Sequence, residues 1–238
     1  MANNIGVETR LNKPVGHCSG AVKDLCKRLN MADKVAVVTG SNKGIGFGIV
    51  RELCKRGLRY VYLTARDTQR GQEAIAKLNK EGYDPFFHQL DVTDEQSVKA
   101  FTKYLKRKHG GLDILINNAG VINANFTETT YEDTIRVLNA NYYSILTIQT
   151  YMFPILKDNA RVIHISSFVK TDMTKTAGFI TIEDASQAPV YLALDVDQSV
   201  KGRYFWFDKT EKDWADASKK LYCVYAVVEK CVRESNAA

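Results

Sequence analysis

Between Lys34 and Val50 the chain reads KVAVVTGSNKGIGFGIV, and few local arrangements accommodate that order. Val35, Ala36, Val37 and Val38 form an apolar, β-branched run of the kind that makes a short strand buried on both faces. The run stops at Thr39-Gly40, and Gly40, Gly44 and Gly46 follow at a T-G-x-x-x-G-x-G spacing. Glycines there permit a tight turn and let the backbone approach a bound group closely. Ile45, Ile49, Val50 and Leu53 then share one face at helical spacing. A helix therefore starts at the glycines and points its first N–H groups and the positive end of its dipole over the turn. An anion fits such an end, and a pyrophosphate fits this glycine pattern. A glycine-rich turn alone also serves as a plain strand-to-helix connection, so the next strand has to decide.

That strand, Tyr60–Thr64, ends in Ala65-Arg66-Asp67, where a dinucleotide-binding fold places the residue that reads the adenosine ribose. An acidic side chain there accepts from a free 2′-hydroxyl, whereas the planar fork of Arg66 suits a 2′-phosphate. Lys43, inside the glycine turn, is a second cation within range of the same phosphate. Together they predict NADP(H) rather than NAD(H).

The pattern continues with strands expected at 86–90, 112–116 and 161–165, separated by helices at 68–80, 94–108 and 132–156. Strands alternating with helices mean βαβ units, hence an α/β, Rossmann-like, doubly wound parallel sheet of order 3-2-1-4-5. Ile135, Leu138, Tyr142, Ile145 and Ile148 recur on one face of the last helix, which is expected to pack along the sheet, with Pro154 ending or kinking it. A further helix is expected over 181–194 and a last strand over 202–207, joined beyond the fifth or left unpaired. Leu221, Val224, Tyr225, Val228 and Val232 predict an amphipathic helix in the tail.

These motifs, taken in order, resemble a known family. Thr39–Gly46, Leu90-Asp91-Val92-Thr93, Asn117-Asn118-Ala119-Gly120 and Ile165-Ser166-Ser167 are similar to the successive signatures of the short-chain dehydrogenase/reductases. Thr64–Asp67 and Val169-x-Thr171-Asp172-Met173 narrow the likeness to the NADPH-dependent carbonyl reductases. The resemblance covers roughly 34–214. It implies NADPH-dependent reduction of small ketones, aldehydes or quinones. It further implies a cofactor held by Gly40, Asn42, Lys43, Gly44, Ile45, Gly46, Arg66, Asp91, Val92, Asn118, Ala119, Gly120, Val169 and Thr171. By the same resemblance Ser167 hydrogen-bonds the substrate carbonyl, and Asn141 kinks its helix and holds a proton-relay water.

The family's proton donor is a tyrosine whose pKa is lowered by a lysine four residues on. No such pair follows Ser167; Phe168 runs directly into Val169. The resemblance therefore implies a chain truncated after the fifth strand, without an internal block of several tens of residues, and weakly active or inactive. Tyr104 and Lys108 have the spacing but sit in the helix ahead of Asn118, on an expected surface turn. The alternatives are a non-catalytic NADP(H)-binding or interaction protein, or a poorly folding splice or gene-model variant.

The 238 residues suffice for one core, and 45% hydrophobic with 25% charged residues is a globular balance. The organisation expected is an N-terminal extension over 1–33, a nucleotide-binding domain over 34–214 and a helical tail over 215–238. The extension carries a partial echo of the glycine turn at Asn12–Gly16, where Pro14 replaces a glycine, with no apolar strand before it. The net charge of +6 is spread among acids along several helices, which reads as a solvated surface rather than a nucleic-acid footprint. Five cysteines, Cys18, Cys26, Cys54, Cys223 and Cys231, lack metal-ligand spacing and read as reduced thiols. Neither a membrane span nor a signal peptide is evident, so the expected compartment is the cytoplasm and the expected state a monomer or homodimer.

Overall fold

The computed structural model describes residues 31–123, 129–166, 181–197, 199–200, 203–205, 209–212 and 225–229. Most of segment 1–33, Ser167, Val169 and Thr171, and Leu221, Val224 and Val232 of the tail lie outside the described residues.

Strands and helices alternate as β1 (Val35–Val38), α1 (Gly44–Lys55), β2 (Tyr60–Ala65), α2 (Thr68–Lys80), β3 (Phe86–Gln89), α3 (Glu95–His109) and β4 (Leu112–Asn117). β5 (Leu156–Ser166) completes a parallel array of order β3-β2-β1-β4-β5, as the alternation predicts. Successive residues of β1 face opposite layers. Ala36 and Val38 pack with Ile49, Val50 and Leu53 of α1 and with Ala74 and Leu78 of α2. Val35 and Val37 pack with Phe101 and Leu105 of α3. With both faces covered, no position of the strand is left for a polar residue, which is why its sequence does not alternate. Local signals set the helix ends. Asp67 accepts from Arg70 N at 3.0 Å at the start of α2, and Gly110 ends α3 with φ +71°.

The expected helix over 132–156 is interrupted. It is α4 (Tyr131–Leu138), a π turn over Asn139–Tyr143, α5 (Ser144–Met152) and a 3₁₀ turn over Phe153–Ile155 that contains Pro154. A π turn inserts one residue and rotates the helical segment before it relative to the segment after it. The single apolar face read from the sequence is therefore split: Ile148 is buried, whereas Leu138 is 42% and Tyr142 56% exposed.

α6 (Ile182–Leu194) begins at Thr181, whose hydroxyl accepts from Asp184 N at 3.1 Å, and packs on α1. A Cβ at Gly48 would lie 2.8 Å from Ile182 Cγ2, so the helices meet where α1 has no side chain. Beyond β5 the sheet continues antiparallel through β6 (Arg203–Phe205), β7 (Glu211–Lys212) and β8 (Tyr225–Glu229) in the order β5-β8-β6-β7.

One expectation is corrected by this arrangement. The tail is not helical over Tyr225–Glu229 but forms a strand, which inserts between β5 and β6. Tyr-Ala-Val-Val-Glu is a short continuous apolar run, which periodicity alone cannot assign. The open edge of β5 offered it unpaired N–H and C=O groups, a demand that no helix meets.

Candidate functional site

The glycine turn is fastened on two sides. Ser41 N donates to Thr64 O at 2.8 Å, and the hydroxyls of Ser41 and Thr64 both donate to Val38 O, at 2.8 and 3.0 Å. These bonds tie the turn to the end of β2. On the other side Thr39 Oγ1 accepts from Asn118 N and Ala119 N, each at 2.9 Å. Asn118 Nδ2 donates to Thr39 O at 2.8 Å and Gly40 O at 3.0 Å. Thr39 and Asn118 thus lock the ends of β1 and β4 together.

Gly40 and Gly44 both adopt φ +60°, the left-handed region that suits glycine. A Cβ at Gly46 would lie 2.4 Å from Asn118 Nδ2, and one at Gly40 would lie 2.8 Å from Ala119 Cα. Asn42 and Lys43 form the crest of the turn. α1 starts at Lys43 without a side-chain cap, and its first turn holds no acidic residue. A helix start of that kind presents backbone donors to an anion. Ile45 packs against the core and fixes the first turn from beneath.

Arg66 is exposed at the end of β2, and its carbonyl accepts from Gln89 Nε2 at 3.2 Å. Asp91 follows β3. Its carboxylate accepts from Thr93 N at 2.9 Å and Thr93 Oγ1 at 2.7 Å, so its own turn orients it. Val92 is buried in the core on the α3 side. At this carboxyl end of the strands an open cleft of about 690 Å³ is lined by Arg66, Thr93 and Val121, facing Tyr131, Ile135 and Tyr143 of the α4–α5 segment. A doubly wound sheet binds ligands at this end. Sequence reasoning missed Thr39, Thr93, Tyr131 and Tyr143. The first two lie within motifs it quoted, and the tyrosines depend on the π turn.

Asn141 lies within that π turn and holds the loop after β4. Its Oδ1 accepts from Val121 N and its Nδ2 donates to Val121 O, both at 2.8 Å. A Cβ at Gly120 would lie 3.3 Å from Asn141 Oδ1. The helix is interrupted at Asn141 by the π turn. In this structure the Asn141 amide serves the Val121 backbone, so it positions the Asn118–Val121 loop.

Lys108 Nζ donates to Tyr104 Oη at 2.9 Å, but the pair belongs to the C-terminal part of α3, which leads into the start of β4, and neither residue lines the cleft. Among the described residues no group of three or more His, Cys, Asp or Glu side chains could hold a metal, and no helix is long and apolar enough to cross a membrane.

The family model for short chain dehydrogenases matches residues 34–178. The chain is 42% identical over 148 residues to the Bos taurus protein "Carbonyl reductase [NADPH] 1", a match that spans 62% of this chain and 53% of that protein. It is 41% identical over 143 residues to the Homo sapiens protein of that name, spanning 60% and 52%. The chain therefore spans about half the length of the curated relatives it matches. Salutaridine reductase from Papaver somniferum superposes with a TM-score of 0.52 at 33% identity, over 56% of this chain and 57% of that one.

Proposed function

The chain belongs to the short-chain dehydrogenase family, and from that premise we propose that it is a carbonyl reductase-like protein that binds NADP(H) and is itself weakly active or inactive. The observation that carries the cofactor reading is the donor set around the glycine turn. The start of α1 is uncapped and without acidic residues, the glycine turn before it is bonded to the end of β2 at Thr64, and Arg66, two residues on, lines the cleft. The residues present fit the cofactor. The Gly40–Gly46 turn and the first amides of α1 would hold the pyrophosphate. Arg66 and Lys43 would hold the 2′-phosphate, and Asp91 with Val92 would hold the adenine. Asn118, Ala119 and Gly120 would line the ribose and nicotinamide path, and Val169 and Thr171 are the further residues that the resemblance assigns to the cofactor. The names of the carbonyl reductase relatives agree with this choice of nucleotide.

When bound, NADPH supplies a hydride. Ser167 would donate to the carbonyl oxygen of a small ketone, aldehyde or quinone, and Asn141 would keep the loop around Gly120 and Val121 in place. Proton donation is the weak point. The Tyr104–Lys108 pair lies away from the cleft, and the sequence after Ser167 offers no other. General acid catalysis contributes roughly 10²–10⁴ in rate, so its loss leaves little turnover. That placement also favours the second reading, a non-catalytic NADP(H)-binding protein.

Fluorescence titration of the purified chain should show tighter binding of NADPH than of NADH. Arg66→Asp should shrink the preference by about tenfold or more, because charge-assisted contacts contribute ~1.5–3 kcal/mol. Equal affinity for the two nucleotides would remove the cofactor assignment. NADPH oxidation with menadione or aromatic aldehydes should stay near background. Robust turnover abolished by Ser167→Ala would show the chain to be an active reductase.

A further inference from the structure

Away from the cleft, α3 carries a group of polar side chains that the proposed function does not use. Tyr104 Oη accepts from Lys108 Nζ at 2.9 Å and from Tyr62 Oη at 3.3 Å. Tyr62 Oη lies 2.7 Å from His109 Nε2. Tyr62 comes from the middle of β2, and its ring meets those of Phe101 and Tyr104 edge-on at 5.7 and 6.0 Å. Lys108 Nζ stands 4.4 Å over the Phe86 ring, which holds the ammonium beside the phenol. Tyr104 is half-buried and Lys108 is exposed, so the Tyr104 oxygen lies at the surface end of the chain of contacts.

Hydroxyl hydrogens rotate, so the chain Tyr104–Tyr62–His109 runs in either sense. In one, Tyr104 donates to Tyr62 and Tyr62 donates to a neutral Nε2. In the other, an Nε2–H donates to Tyr62 and Tyr62 donates to Tyr104, which then receives two hydrogen bonds with no need of its own proton. Reversal moves one proton from Tyr104 to His109 through Tyr62. A nucleophile, a base reached through one hydroxyl and a cation on the oxygen form the constellation that activates a hydroxyl for attack.

We propose that Tyr104 is a nucleophilic phenol, activated by Lys108 and by the Tyr62–His109 relay, and that it is a modification site for activated acyl donors. Tyr104 Oη attacks the acyl carbon, the O–C bond forms, and the bond from that carbon to its leaving group breaks with its electron pair. The phenolic proton passes through Tyr62 to His109 Nε2, the half-buried imidazolium gives up a proton to solvent, and the leaving group takes a proton from water. Burial works to raise the Tyr104 pKa, but the hydrogen bonds from Lys108 and Tyr62 and the charges of Lys108 and Arg107 outweigh it and bring it below a tyrosine's ordinary value. The His88 ring of β3, 5.0 Å away, also faces Tyr104. Around His109, burial, Lys108 and Lys157 lower the imidazole pKa against the opposing charge of Asp113, and Tyr60 flanks the ring at 4.9 Å. His109 is therefore a neutral base at physiological pH.

The probe is N-acetylimidazole on the purified full chain, with each tyrosine followed by peptide mass spectrometry. Tyr131 is 76% and Tyr142 56% exposed, so accessibility alone favours them. Acetylation of Tyr104 should nevertheless be at least about tenfold faster than at either, since base assistance contributes roughly 10²–10⁴. Lys108→Met and His109→Gln, at an exposed and a half-buried position of the last turn of α3, should bring Tyr104 down to the rate of Tyr131. The wild-type rate should fall on acidification with a midpoint below the ordinary imidazole value. Hydroxylamine should remove the label, as it does from a phenyl ester. A Tyr104 rate no greater than that of Tyr131, a rate unchanged by both substitutions, or a hydroxylamine-resistant label on Lys108 would each overturn the proposal.

Discussion

Asn118 shows how much a single side chain settles. Its amide holds the carbonyls of Thr39 and Gly40, and it stands where a Cβ at Gly46 would have to go. Gly46→Ala should therefore push Asn118 off the turn. Overpacking of this kind costs about 1–3 kcal/mol, so thermal unfolding should show a lower midpoint, and nucleotide binding should weaken in parallel. A variant with an unchanged midpoint and unchanged affinity would mean that the turn tolerates the shift. The T-G-x-x-x-G-x-G spacing announced the glycines, but it could not say that the third is constrained by a residue just past another strand. Cys54 is a second case. Its thiol is half-buried against the core, and burial followed by the charge of Asp84 pushes its pKa up to about 12. The reactive form is the thiolate, so Cys54 in the folded chain should resist a disulfide reagent at pH 8 and react only once denaturant is added. Fast modification of Cys54 in the native protein, located by peptide mapping, would contradict this.

At the scale of elements, β8 is the informative one. Val227 pairs with His164 of β5 and with Tyr204 of β6, so it lies between two strands. Val227→Pro removes a backbone donor from a strand paired on both sides, a position where proline is essentially not found. The variant should unfold at a lower denaturant midpoint and lose amide protection along β5, as read by hydrogen exchange; protection equal to wild type would argue against the pairing. The parallel elements were legible because βαβ units repeat one signal, an apolar run, a turn and an amphipathic helix. The interruption over Asn139–Tyr143 was legible only as a kink at Asn141, since neither a π turn nor its rotation of the apolar face has a period of its own in the sequence. β8 was misread for a different reason. Five apolar-rich residues fit a helix and a strand equally, and what chose between them was a vacant sheet edge made by a distant segment.

For the molecule as a whole, the order β3-β2-β1-β4-β5 and the place of the cleft followed from the chain's alternation, because right-handed crossovers leave few ways to wind such a sheet. The identity of the phosphate-reading residue was proposed from Arg66 at the end of β2. The closing of the far side, where β5 meets β8, β6 and β7 in antiparallel fashion, had no such signal. That arrangement carries a consequence for biosynthesis. A chain leaving the ribosome completes β5 at Ser166, yet the strand that pairs with it ends only at Glu229. Throughout that interval the hydrogen-bonding groups of the newest parallel strand face solvent or a neighbouring nascent chain. The β5–β8 pairing is also among the most sequence-distant in the sheet, and contacts of that kind form late. Slower translation between Ser166 and Glu229 should therefore lower the yield of native protein, and chaperones that cover bare strand edges should raise it.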